Sequence, residues 1–419
     1  MNKYSFKIIF ADLQKRTQFE AKTNDEKFIK EFMISCFELI ESGSSSPENR
    51  QIEAIQRNNA QFKKRFETFF NKYESTFPQL RELKRFVNNL EENQVFWILP
   101  ESIVNDDLGI DMFSYLKADQ EGRKREDILA EYKPIRNFMK TYSVKTLGTY
   151  RHGIGNKHKD QRQCRFCSKQ ISEVTFKKKA HAISEGLGNK TLVLYDECDT
   201  CNNQFSETIE PDIVSFFSVL RIIFDVKGKG GAKKIKGINF EMSKSGNSLN
   251  ILFYDIKDRP KENPNEYKMT LRLKDQIKYQ NVYRMLTKYF LSLIDQNELQ
   301  HFSKTIDWVN GKISTKNLPL ISNRLNYNGF SRQPIFTCYL RKNEDKTLPY
   351  AIGSLQFTCY EYVFVIPFAD LDTQQFITHS EKETWWNKFT HFHTSNWSDI
   401  DFSSDEKSPF VFILDGKVS

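Results

Sequence analysis

The sequence predicts an α+β protein in three segments: a mainly helical N-terminal domain over 1–143, a cysteine-rich domain over 144–237, and an α+β C-terminal domain over 238–419. Three observations predict this. Strand-like and helix-like runs are intermixed without the regular alternation of a doubly wound parallel sheet. Four of the seven cysteines form two C-x-x-C pairs in mid-chain. Nearly all of the net charge of +8 gathers around those pairs.

The 419 residues amount to about two or three times a usual domain length. With 39% apolar and 28% charged residues, the chain can bury real cores, which excludes wholesale disorder. The 36 phenylalanines make those cores aromatic-rich. No stretch approaches the length of uncharged apolar residues that spans a bilayer. The opening MNKYSFKIIF lacks the apolar stretch and small-residue cleavage site of a secretory signal. The expectation is a cytoplasmic protein without membrane contact.

In the first segment, the alternation of Tyr4, Phe6, Ile8 and Phe10, then a short extended run from Phe19 to Lys22, reads as a hairpin. Thr23 and Glu26 are spaced as a capping box for a helix through Phe28, Phe32 and Phe37 to about Glu41. Ser42 to Arg50 reads as an exposed loop. Helices are expected over Ile52–Tyr73, Leu80–Leu90 and Ile128–Tyr142, their aromatic stripes forming core rather than a ligand site.

In the last segment, strands are expected at Asn250–Ile256, Tyr267–Leu273, Ile335–Arg341, Ile352–Tyr360, Tyr362–Pro367 and Phe410–Leu414. Helices are expected at Val282–Leu293, Glu298–Trp308 and Ser380–His391. The group Trp385, Trp386, His391 and His393 reads as packing. No internal repeat is present.

The middle segment carries the chemistry. Between Val144 and Gly237 stand 17 Lys or Arg against 10 Asp or Glu, whereas the rest of the chain has 45 against 44. Cys164 and Cys167 form one C-x-x-C, and after thirty intervening residues Cys198 and Cys201 form another. Two residues between thiols let both sulfurs of a tight turn reach one ion, and two such turns complete a tetrahedral four-thiolate site. The pattern therefore predicts structural zinc. A redox pair would need only one of the two motifs. A closed four-thiolate site braces a fold and leaves catalysis to other residues.

Between the pairs, His181 sits in the strand-like run Ala180 to Ile183, followed by Gly186, Gly188 and Asn189. A second strand-like run covers Thr191 to Tyr195, and a helix-compatible stretch runs from the second pair to about Glu210. Strand, turn, strand and helix make a ββα unit held at its ends by zinc knuckles. A histidine in an apolar strand is often a satisfied core residue. Its place between two knuckles and after Lys177, Lys178 and Lys179 favours chemistry instead. The final run from Lys227 to Gly237, with five Lys and four Gly in eleven residues, reads as a mobile tether or an arm that touches phosphates.

The pattern C-x-x-C, A-H-A-I, G-L-G-N, E-C-D-x-C-N and I-E resembles the HNH endonucleases with a ββα-metal core braced by two zinc knuckles. The resemblance covers Cys164 to about Leu220. It implies that His181 is the general base and that Asn189 matches the middle Asn, which orients it. It further implies that Asn202, the residue after the second knuckle, helps to hold a catalytic Mg2+ or Mn2+. Many members have an acidic residue before the strand His, where this chain has Ala180. Glu210 is the first candidate to supply the missing carboxylate, and Glu197 or Asp199 the second. The family's activity implies hydrolysis of DNA; an RNA-directed nuclease is the alternative, which nothing in the motif excludes. Nucleases of this type fused to unrelated domains are typical of bacterial defence, as restriction-like or anti-phage effectors.

The flanking charge suits a nucleic-acid backbone: Arg151, Lys157, Lys159, Arg162 and Arg165 before the unit, Lys177 to Lys179 within it, Lys227 to Lys236 after it. A solvated basic face is the alternative for any single run. The rival reading for the whole protein is a noncatalytic, zinc-dependent nucleic-acid-binding module. A homo-oligomer or a regulatory partner protein stays open.

Overall fold

A computed structural model describes residues 4–13, 15–37, 39–40, 51–104, 106–148, 153–228, 234–246, 248–255, 266–325, 331–388 and 396–417. The chain divides into two compact units, Met1–Met139 and Lys140–Ser419. Among the described residues no helix is long and apolar enough to cross a membrane.

The first unit contains β1 (Tyr4–Ala11), β2 (Arg16–Thr23), α1 (Glu26–Cys36), β3 (Leu39–Ile40), β4 (Gln51–Ile52), β5 (Ile55–Arg57), α2 (Ala60–Tyr73), α3 (Leu80–Asn88), β6 (Val95–Pro100) and α4 (Asp106–Glu121). α5 (Arg125–Thr141) closes it. Its organising element is an antiparallel sheet in the order β2-β1-β6-β5. The alternation of β1 puts Ile8 and Phe10 against the phenylalanines of α1, α2 and α3 on one face, and Ile9 and Ala11 against Leu116 of α4 on the other. β6 lies inside the sheet with both faces covered, so Val95 to Leu99 are buried without a break. That lack of alternation hides it from a period-two reading, so the helices of the first unit pack on a sheet of which the sequence shows only the β1–β2 hairpin.

Local chemistry sets the helix starts. α1 is capped by Asp25, whose Oδ1 accepts from the Phe28 amide at 3.1 Å. The expected Thr23 cap fails because Thr23 ends β2, paired with Tyr4, and its hydroxyl accepts from the Asp25 amide instead. α2 starts only at Ala60, capped by Asn59. Ile55–Arg57, expected as helix, pairs with β6.

The second unit runs β7 (Tyr142–Leu147), β8 (Gly153–Ile154), β9 (Ala180–His181), β10 (Val193–Leu194), α6 (Asp199–Thr208), α7 (Glu210–Phe216), α8 (Ser218–Ile223), β11 (Lys234–Lys236), β12 (Phe240–Ser245), β13 (Ser248–Phe253), β14 (Glu266–Lys278) and α9 (Tyr279–Leu293). It continues with α10 (Ser303–Val309), β15 (Ile321–Leu325), β16 (Ser331–Arg341), β17 (Ala351–Thr358), β18 (Tyr360–Val365), α11 (His379–Trp386), β19 (Ser398–Ile400) and β20 (Lys407–Lys417). Its largest sheet is antiparallel, in the order β19-β15-β18-β17-β16-β7. Helices beside antiparallel sheets make the chain α+β, as expected. His391 and His393 lie outside the described residues.

The boundary expected after Gly237 does not separate two bodies. One core runs from Cys164 through α6 to α8, along α9, and on to Phe410. α9 is its axis: every residue from Gln280 to Leu293 is buried. The basic run is not simply a tether either. Lys234–Lys236 form β11 on β12, where Lys234 pairs with Glu241, and residues 229–233 lie outside the described residues. The cysteine-rich segment is thus built into the scaffold that follows it.

Candidate functional site

The knuckles are tight turns that aim four sulfurs at one point. In the first, the Ser168 amide donates to the Cys164 carbonyl at 2.8 Å, with Ser168 at φ +59°. In the second, Cys198 caps α6, its Sγ accepting from the Cys201 amide at 3.5 Å. The four Sγ atoms all lie within 4.8 Å of one another, and those of Cys167 and Cys198 are 3.7 Å apart. Zn–S bonds of about 2.3 Å in a tetrahedron require sulfurs roughly 3.8 Å apart, so the donor set fits zinc. A hydrogen bond with the Cys201 thiol and backbone amides hold the Cys164 thiol down to about 5, while burial and the Cys164 charge push Cys198 up to about 12. Thiolates this close repel, and a divalent cation between them lets all four ionise.

The ββα unit forms as read. β9 and β10 pair antiparallel with His181 opposite Val193, and α6 follows from the second knuckle. β10 also pairs in parallel with β8, an extra strand from the Arg151–Arg165 run. The loop between β9 and β10 is closed by Asn189. Its Nδ2 donates to the carbonyls of Ile183 (2.7 Å) and Leu192 (3.1 Å). Its Oδ1 accepts from the amides of Thr191 (3.2 Å) and Leu192 (2.9 Å). All four of its hydrogen-bonding capacities go to backbone, and Gly188, at φ +91°, makes the turn that presents it. Asn189 thus shapes the loop after His181 and spends none of its bonds on the ring.

His181 is 15% exposed, with Nε2 3.8 Å from Glu185 Oε2. Its Nδ1 is buried without a hydrogen-bond partner among the described residues. Burial lowers its pKa, Lys179 and Lys288 add to that, and Glu185 and Glu210 oppose it. The net effect favours the neutral imidazole. It lines a cleft of about 730 Å3 with Glu185, Asn202, Asn203, Ser206, Gly228 and three lysines, Lys178, Lys179 and Lys190.

The structure distributes the candidate carboxylates unequally. Glu197 is fully buried and paired with Lys288 at 2.7 Å, so it cannot reach the cleft. Asp199 accepts from the amides of Lys177 (3.0 Å) and Lys178 (2.7 Å) and holds the segment before β9. Glu210, at the head of α7, is half-buried and acts on His181 through its charge, but it is not among the residues lining the cleft. The carboxylate that does line it beside Asn202 is Glu185, which the motif pattern does not single out. A signal for it exists in the sequence: a carboxylate four residues after the strand histidine, in a short turn.

The basic residues also divide. Lys177, Lys178 and Lys179 are exposed. Lys178 Nζ meets Asn203 Oδ1 at 2.6 Å and Lys179 Nζ meets the Lys190 carbonyl at 3.1 Å, both at the cleft. Arg165 contradicts its expected role on nucleic acid. Its side chain is 1% exposed, and Nη1 donates to the carbonyls of Leu291 and Ile294 at the end of α9. Arg162 is half-buried, donates to the Asn156 and Lys157 carbonyls, and stacks over Tyr195. Charge along the sequence does not say which residues face water.

Compared with known proteins, the chain matches no curated protein and no solved structure. Residues 164–218, from the first knuckle to the start of α8, match the model of the HNH endonuclease family, and the four-cysteine cluster agrees with its two knuckles, so the chain carries an HNH endonuclease domain.

Proposed function

We propose that the protein is a metal-dependent endonuclease that hydrolyses phosphodiester bonds of DNA at the His181 cleft. One observation carries this reading: the largely buried His181 imidazole lines a cleft that also holds a carboxylate, two amides and three lysines. Glu185 and Asn202 would hold Mg2+ or Mn2+, hard cations that favour such oxygen donors. When bound, the ion neutralises non-bridging phosphate oxygens and the leaving alkoxide. His181 accepts the proton of the attacking water as the new O–P bond forms and the sugar oxygen–phosphorus bond breaks. Lys178, Lys179 and Lys190 bind the backbone through charge. Glu210 supports the imidazole from outside the cleft.

Incubating the protein with plasmid DNA and Mg2+ or Mn2+ tests this, with chelator and His181→Ala as controls. Cleavage should depend on the ion and fall by about 10² to 10⁴ in the variant, the usual loss for a general base. Binding without cleavage in every metal would leave a noncatalytic nucleic-acid-binding module, and cleavage of RNA alone would reassign the substrate.

A further inference from the structure

One buried charge near the cleft is unused by this chemistry. Lys288, in the middle of α9, has a side chain 3% exposed, and its Nζ lies 2.7 Å from Glu197 Oε2. The same ammonium donates to the His181 carbonyl at 3.1 Å. It also lies 5.6 Å from the centroid of the Phe166 ring and 5.8 Å from that of Phe205. Phe166 belongs to the first knuckle, Glu197 precedes Cys198 of the second, Phe205 is on α6, and His181 is the proposed base. A single cation therefore touches all four parts of the nuclease unit.

Stability alone does not explain this pair. Desolvating an ammonium and a carboxylate offsets their attraction, and apolar side chains of equal volume often hold such a site as well. An apolar pair could not donate to the His181 carbonyl. That donation matters because β9 is two residues long and an edge strand, paired among the described residues only with β10. Neighbouring contacts run the same way: Tyr289 donates to Ser184 Oγ at 2.6 Å, and Asn310 to the Phe166 carbonyl at 2.8 Å.

We propose that Lys288 is a positioning residue of the nuclease centre, fixing His181 against both knuckles and α6, so that α9 completes the catalytic unit. The proposal rests on the nuclease reading for its kinetic part only. Removing one partner strands a buried charge, so the test is the neutral pair Lys288→Met with Glu197→Gln. This double variant should keep zinc, oligonucleotide affinity and KM, while kcat falls about 10- to 100-fold, the usual consequence of a base displaced by an ångström. Hydrogen–deuterium exchange over residues 180–194 should rise against the rest of the unit. The pair Lys288→Gln with Glu197→Gln keeps a donor for the carbonyl and should recover part of the lost kcat. A Met/Gln variant with wild-type kcat and exchange would overturn the proposal, as would loss of folding and zinc in both doubles. If the wild-type protein cuts nothing, the nuclease reading fails, and raised exchange at 180–194 still reports that Lys288 holds the strand.

Discussion

Arg165 separates two uses of positive charge in this segment, and replacing it with Met measures the difference. Its Nη1 supplies 2.7 and 3.2 Å hydrogen bonds to the carbonyls of Leu291 and Ile294, which the end of α9 leaves without helical partners. Its Nη2 stands 3.7 Å from Asp196, itself almost fully buried. Bonds to a charged donor contribute about 1.5 to 3 kcal/mol each, and Met would leave both carbonyls buried and unpaired. Asp196 keeps the Asn156 amide, at 2.9 and 3.1 Å, which limits its share of the destabilisation. The expected cost is therefore about 3 to 5 kcal/mol. For a unit of this size, that lowers the melting temperature by roughly 10 °C. Differential scanning fluorimetry reads that drop, and fluorescence anisotropy with a labelled duplex, titrated across salt, reads binding. Arg165→Met should melt early and bind normally while folded. Neutralising Lys177, Lys178 and Lys179 together should do the reverse: little change in melting, weaker binding, and a salt slope flattened by about 0.9 for each phosphate no longer neutralised. An Arg165→Met protein that melts like wild type yet binds with weaker salt dependence would refute the burial argument.

Three further outcomes are expected. Metal analysis should find about one zinc per chain, and Cys198→Ser should release it and melt the second unit, because the knuckles share its continuous core; wild-type protein without zinc would remove this part of the argument. The acid limb of kcat/KM should lie below the ordinary histidine value of about 6.5, since burial lowers the His181 pKa and the base must be neutral to act; activity is then lost as pH falls through that lowered pKa, and a limb at or above 6.5 would show the ring is not buried as described. Glu185→Gln should raise the Mn2+ concentration needed for binding, followed by calorimetry, at least about tenfold, while Glu210→Gln changes it little; the opposite ranking would return the ligand role to Glu210.

Whatever local spacing encodes could be read directly from the residues. Two C-x-x-C turns leave thiols few options but a common ion, and the four sulfurs do converge. Period-two alternation marks β1, and 3.6-residue stripes mark α2 and α3, because one side of each pattern must be buried. The order strand, loop, strand, helix around His181 is legible for the same reason. Elements buried on both sides are not: β6 shows a continuous apolar run with no period to read. Which charges face water is settled only when the chain folds. Arg165 and Lys179 look alike in sequence, yet one caps the end of α9 from inside the core and the other lines the cleft. Folding also spends Glu197 and Asp199 on Lys288 and on backbone amides, leaving Glu185 at the cleft. The difference comes from distance along the chain. Lys288 meets the His181 carbonyl across 107 residues, and such a contact follows from how cores close rather than from any local pattern.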